Sequence, residues 1–173
     1  MSYYVHAYLV DANKVKAVYG SHDMDLLNHL SSSLKEKLDS LNNYFGSEIS
    51  LSEDAYSVLA GIVNGEKRSS HMAFMYGYVY EIICEYYGRI IYNAENLWQL
   101  DEQSTFISIP LSDDFPYIIS IPVSDLEIKK QQYAALEAGN GIGNYAYEEE
   151  MDDLNFIFDE AIEARKDLII TVY

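Results

Sequence analysis

The sequence predicts an α+β fold, with about five helices packed on a small sheet that contains both the N-terminal and the C-terminal strand. Three runs carry this expectation. Tyr3 to Val10 is rich in Tyr and Val and apolar on both faces, as a central strand is. Leu27, Leu30, Leu34, Leu38, Leu41 and Phe45 recur at helical spacing. Leu168 to Tyr173 is β-branched and aromatic and follows the last helix almost at once. At 173 residues and 49% hydrophobic, the chain suits one domain, residues 1–173, with a sizeable core.

The elements between these runs follow in order. Asp11 and Asn13 open a helical turn that ends at Gly20. Ser21 is positioned to cap the long amphipathic helix, with Asp23 and Asp25 in its first turns, where the helix dipole favours anions. Lys35, Glu36, Lys37 and Asp39 fall off its apolar stripe. Ser52 caps a third helix with Ala55, Val58, Leu59 and Ile62 inward, and Asn64-Gly65 ends it. The next helix, about Ser70 to Tyr87, is apolar nearly all round and marks a core or interface helix.

Arg89–Tyr92, Thr105–Ile109 and Tyr117–Ile121 read as short strands, punctuated by Pro110, Pro116 and Pro122. Ser124 and Glu127 form a capping box, with Val123 and Ile128 spaced as a hydrophobic staple, to open a helix ending near Gly139. The last helix runs from about Tyr147 to Arg165.

Charge is the strongest functional signal. The chain carries net −17, and residues 91–164 hold sixteen acids against two bases, Lys129 and Lys130. With 17 Tyr, this composition suits a surface that meets a basic protein. It argues against nucleic acid, which needs clustered Lys and Arg, and against an anionic membrane surface. No apolar run reaches 18 residues, and no secretory pattern opens the chain, so a cytoplasmic location is expected.

No motif implies a cofactor, a metal or a catalytic residue. A single Cys, Cys84, excludes an internal disulfide and a cysteine-based zinc site. The four histidines, His6, His22, His29 and His71, lack the i, i+4 spacing of a helical metal site. The Gly-rich segment Gly139–Asn144 precedes Glu148-Glu149-Glu150, which repel phosphate where a phosphate loop needs a positive helix end.

The favoured role is a non-enzymatic, acidic interaction module of the immunity kind. Asp113, Asp114, Glu148, Glu149 and Asp152 would steer the partner, and Tyr145 and Tyr147 would anchor it. The alternative is a small-molecule-binding or hydrolytic domain with an aromatic pocket lined by His6, His71, Tyr76 and Tyr80. The oligomeric state is left open.

Several segments also resemble known families. The opening Met1-Ser-Tyr-Tyr through Tyr8-Leu9-Val10-Asp11, Gly20-Ser21-x-Asp23, the helix Tyr76-Gly77-Tyr78 through Cys84 to Gly88, and the closing Asp167–Tyr173 resemble a bacterial family of unknown function. The region from Ile121-Pro-Val-Ser-Asp-Leu-Glu127 onward is similar in layout to the YfbM-like proteins. The resemblance implies an α+β bacterial cytoplasmic protein and no catalytic residue.

Overall fold

The computed structural model describes residues 3–45, 51–66, 73–96, 102–111, 116–140 and 145–173. Among them are six helices and four strands in the order β1 (Tyr3–Val10), α1 (Ala12–Ala17), α2 (Met24–Phe45), α3 (Leu51–Asn64), α4 (Ala73–Tyr87), β2 (Gly88–Asn96), β3 (Tyr117–Ile121), α5 (Leu126–Asn140), α6 (Tyr145–Ala164) and β4 (Asp167–Val172). The strands form one antiparallel sheet in the order β2-β1-β4-β3, so the two terminal strands lie side by side at its centre.

Strand alternation splits the core in two. Val5, Ala7 and Leu9 of β1, Ile119 and Ile121 of β3, and Leu168, Ile170 and Val172 of β4 face Leu126 of α5 and Leu154, Ile157, Phe158 and Ala161 of α6. The opposite parity, including Tyr8, Val10, Ile118 and Ile169, packs on α1 to α4. Burial on both faces is why β1 and β4 read as continuous apolar runs. The leucine stripe of α2 lies where its spacing puts it, with Leu27, Leu30, Leu34 and Leu38 in the first core.

Several local expectations are corrected. The cap of α2 is Asp23, whose Oδ1 accepts from Leu26 N at 2.9 Å, because the backbone turns through His22 at φ 53° and leaves Ser21 outside the helix. Asp23→Ala is expected to cost about 1 kcal/mol, read as a lower urea midpoint, while Ser21→Ala changes it little. The third helix begins at Leu51, so Ser52 lies within it, and its side chain is outside the described residues.

The Ser124–Glu127 box does not form as expected. Residues 123–125 make a turn, Asp125 N bonds Pro122 O, and the Ser124 hydroxyl donates to Asp125 Oδ1 at 2.7 Å. Val123 and Ile128 are 44% and 59% exposed, so they do not staple the helix.

The strand expected at Arg89–Tyr92 is longer, nine residues, and starts directly after α4. Thr105–Ile109 is not a strand. Ser104 N bonds Ile118 O at 2.9 Å, Ser104 Oγ accepts from Ser120 N at 2.9 Å, and Gln103 Oε1 accepts from Ile118 N at 3.3 Å. Side chains thus take the ladder positions along β3, and the chain turns Ile107 and Ile109 down into the first core.

Two helix ends use left-handed residues. Glu66 N bonds Gly61 O and Gly65 N bonds Ile62 O, a Schellman closure with Gly65 at φ 69°. Gly65 also abuts Gly20, whose Cα would lie 3.0 Å from a Cβ at 65. The same closure ends α6, with Arg165 at φ 52°.

Candidate functional site

Among the described residues the one fully buried charged group is Glu81, at the middle of the apolar helix α4 and 0% exposed. Its carboxylate faces the sheet at the β1–β4 pair, where His6 lies opposite Thr171 in register and Tyr4 exchanges backbone hydrogen bonds with Tyr173. Alternation puts His6, Tyr8, Thr171 and Tyr173 on the same face, toward α4.

Five donors reach the two oxygens. Oε1 accepts from His6 Nδ1 at 2.7 Å, Tyr8 OH at 2.7 Å and Thr171 Oγ1 at 3.0 Å. Oε2 accepts from Lys37 Nζ at 2.5 Å and from the Tyr173 hydroxyl. Lys37 also reaches Glu85 Oε1 at 3.0 Å. Lys37 sits beside the buried Leu34 and Leu38, so its stem runs along apolar surface while the ammonium turns inward.

Electrostatics follows from this geometry. Burial alone would raise the Glu81 pKa, but the His6 hydrogen bond and the Lys37 charge outweigh it and hold the carboxyl at about 2. Burial and the adjacent Glu81 charge push the Tyr8 and Tyr173 phenols far up. For Lys37, burial lowers the pKa, but Glu81 and Glu85 more than offset it and raise it. Glu81 is therefore an anion with its lone pairs occupied and is a poor general base. Toward that anion His6 Nδ1 acts as the donor. Among the described residues nothing bonds Nε2.

A second polar group lies further along α4. The Tyr80 hydroxyl bonds Ser120 Oγ at 3.0 Å and accepts from Phe106 N at 2.9 Å. Cys84, fully buried, is pushed up first by burial and then by Glu81, which leaves it an inert thiol. A cavity of ≈ 340 Å³ opens along the outer edge of β3, between Gln103, Ser104, Ile119, Ile121, Asp125 and Lys129.

The outer layer presents the acids. Phe156 is 49% exposed on α6, and its four helical neighbours at i−4, i−3, i+3 and i+4 are Asp152, Asp153, Asp159 and Glu160. Three of these have partners: Asp153 accepts from Tyr92 OH at 2.6 Å, Asp159 pairs with Lys130 at 2.5 Å, and Glu160 with Arg89 at 3.1 Å. Asp152 is exposed.

The residues expected to bind a partner divide accordingly. Asp152 belongs to this face. Tyr145, Tyr147, Glu148 and Glu149 lie in the first turns of the same helix, with side chains outside the described residues. Asp113 and Asp114 lie outside the described residues altogether. Of the residues expected to line a pocket, Tyr76 and Tyr80 are buried in the first core and His6 belongs to the Glu81 group, while His71 lies outside the described residues.

Sequence reasoning missed Glu81, Lys37 and Phe156. The signal for Glu81 was a lone carboxylate centred in an otherwise apolar stretch, Met75 to Cys84.

A family model matches residues 1–173 from end to end. The chain belongs to the DUF7691 family. That family is described as a domain of unknown function, in keeping with the resemblance to an uncharacterised family. Comparison with curated proteins and with solved structures finds no match. Among the described residues of this DUF7691 chain, no helix is long and apolar enough to cross a membrane, and no three His, Cys, Asp or Glu group as metal ligands.

Proposed function

We propose that this chain is a non-enzymatic protein-interaction module of the bacterial cytoplasm, of the immunity kind, that binds a basic partner through the outer face of α6. One observation carries the reading: Phe156 is half-exposed at the centre of four carboxylates. A phenyl ring in that position costs solvation in the free protein and supplies an anchor when covered, while Asp152, the exposed acid beside it, attracts a cationic surface toward it. Glu148 and Glu149 belong to the first turns of the same helix.

The test is capture of a basic protein from the source lysate, first with the wild-type chain and then with Phe156→Ala and Asp152→Lys. Binding at about 50 mM salt that is lost near 0.5 M is expected, because the screening length falls severalfold. Phe156→Ala should weaken it by about 30-fold, the size of a hot-spot truncation. Capture unchanged in both variants would remove α6 from the interface.

The alternative reading, a small-molecule-binding or hydrolytic domain, draws on one feature, the His6 imidazole oriented by Glu81 with Nε2 unbonded among the described residues. A thermal-shift response abolished by His6→Ala would favour it.

A further inference from the structure

The two edges of the sheet are treated differently. The outer edge of β3 is covered by Gln103 and Ser104, whose side chains stand in for a fifth strand. The outer edge of β2 has no pairing strand among the described residues; β2 is the longest strand at nine residues, contains neither Pro nor Lys, and is interrupted by one bulge, where Ile91 is the extra residue between Tyr92 opposite Ala7 and Ile90 opposite Tyr8. A bulge is one of the devices that blunt an edge, and here it leaves Ile90 and Asn93 exposed on either side of it.

The direction of the backbone groups follows from β1. Tyr4 exchanges both hydrogen bonds with Tyr173, so the even residues of β1 turn their N–H and C=O toward β4, and Val5, Ala7 and Leu9 turn theirs toward β2. Their β2 partners, Ala94, Tyr92 and Arg89, face inward. Ile90 and Asn93, paired with Tyr8 and His6, turn N–H and C=O outward. Both residues are exposed, Ile90 at 46%.

Helix α6 crosses this edge. Asp153 bonds Tyr92 and Glu160 bonds Arg89, so both acids, with Phe156 between them in sequence, flank β2 on one side of the sheet. A strand added outside β2 would lie about 4.8 Å further out. Every second side chain of it would point toward that acidic flank, and the others would lie beside Ile90.

We propose that the edge of β2 is a β-augmentation site, and that its occupant is an extended segment of the partner with basic and apolar residues in alternation. The proposal rests on the reading of α6 as a partner-binding face and specifies how the partner engages it. Backbone pairing with Ile90 and Asn93 holds the segment. The acids and Phe156 select its cationic side.

The probe is a synthetic nine-residue alternating Lys–Val peptide, compared by fluorescence anisotropy with the same peptide N-methylated at alternate amides. The two carry equal charge, but the second cannot form the ladder. Expected are binding of the parent, at least tenfold weaker binding of the methylated form, and slowed amide exchange at Ile90 and Asn93.

Ile90→Pro, which removes an outward N–H and no bond to β1, should weaken the parent peptide more than Ile90→Ala does. Equal binding of the two peptides would overturn edge pairing while leaving the acidic face as a charge-driven site. Absence of binding by either peptide would overturn the inference, and capture of a basic protein sensitive to Phe156→Ala would then keep the interaction reading intact.

Discussion

Replacing Glu81 by alanine is expected to destabilise the fold by about 3–5 kcal/mol, the usual cost of removing one member of a buried ionic group. The carboxylate links four elements: α4 through its own backbone, β1 through His6 and Tyr8, α2 through Lys37, and the end of the chain through Thr171 and Tyr173. Without it, the Tyr8 and Thr171 hydroxyls, both buried, lose an acceptor, and Lys37 keeps only Glu85.

The pH profile supplies a second signature. A carboxyl lowered from its ordinary value of 4.5 to about 2 on folding contributes stability that is fully present above the unfolded pKa and is lost as pH falls through the folded one. Wild type should therefore lose stability between about pH 4.5 and 2, and the gap to Glu81→Gln should narrow over that window. Lys37, raised on folding, acts on the alkaline side, where its contribution fades as pH passes its elevated pKa. Urea midpoints at pH 7 and pH 2.5 decide the matter. A Glu81→Ala variant as stable as wild type at pH 7 would show the network to be inconsequential.

Gly88→Ala is expected to cost about 1–3 kcal/mol by overpacking. Strand β2 begins at Gly88 with no loop after α4, so the chain turns in close quarters. A Cβ there would lie 2.4 Å from Leu9 O, 2.7 Å from Val10 Cγ1 and 2.9 Å from Cys84 O. Two of these are backbone atoms held by the ladder and the helix, so neither gives way cheaply. Gly61→Ala is the control. Its Cβ would meet nothing nearer than the end of the Glu66 side chain at 3.8 Å, and alanine suits a helix better by about 0.5–1 kcal/mol. Thermal unfolding of both variants should give shifts of opposite sign, and a neutral Gly88→Ala would contradict the packing around the α4–β2 junction.

Much of the architecture was legible because it depends on periodicity. The stripe Leu27 to Leu38, the two-sided apolar runs of β1 and β4, and the Gly65 stop all fall where spacing puts them. Errors gathered where two polar residues compete for one local role. Ser21 and Asp23 both suit an N-cap, and only the turn at His22 selects Asp23. Thr105–Ile109 has strand composition, but a strand needs a partner edge. Here Gln103 and Ser104 side chains occupy that edge.

What the sequence by itself determined is the α+β class, the adjacency of helix and terminal strand, the identity of the central helix and the sign of the surface field. Each depends on residues near one another in the chain or on a sum over composition. Only the tertiary structure decided that Lys37, off the apolar stripe of α2, reaches a buried carboxylate 44 positions away, or that Glu81 collects donors from both chain ends. It alone decided which sheet edge is covered and which has no pairing strand among the described residues. Those are contacts between elements. A buried charge and an edge strand are defined by what packs against them, and one-dimensional spacing holds no record of that.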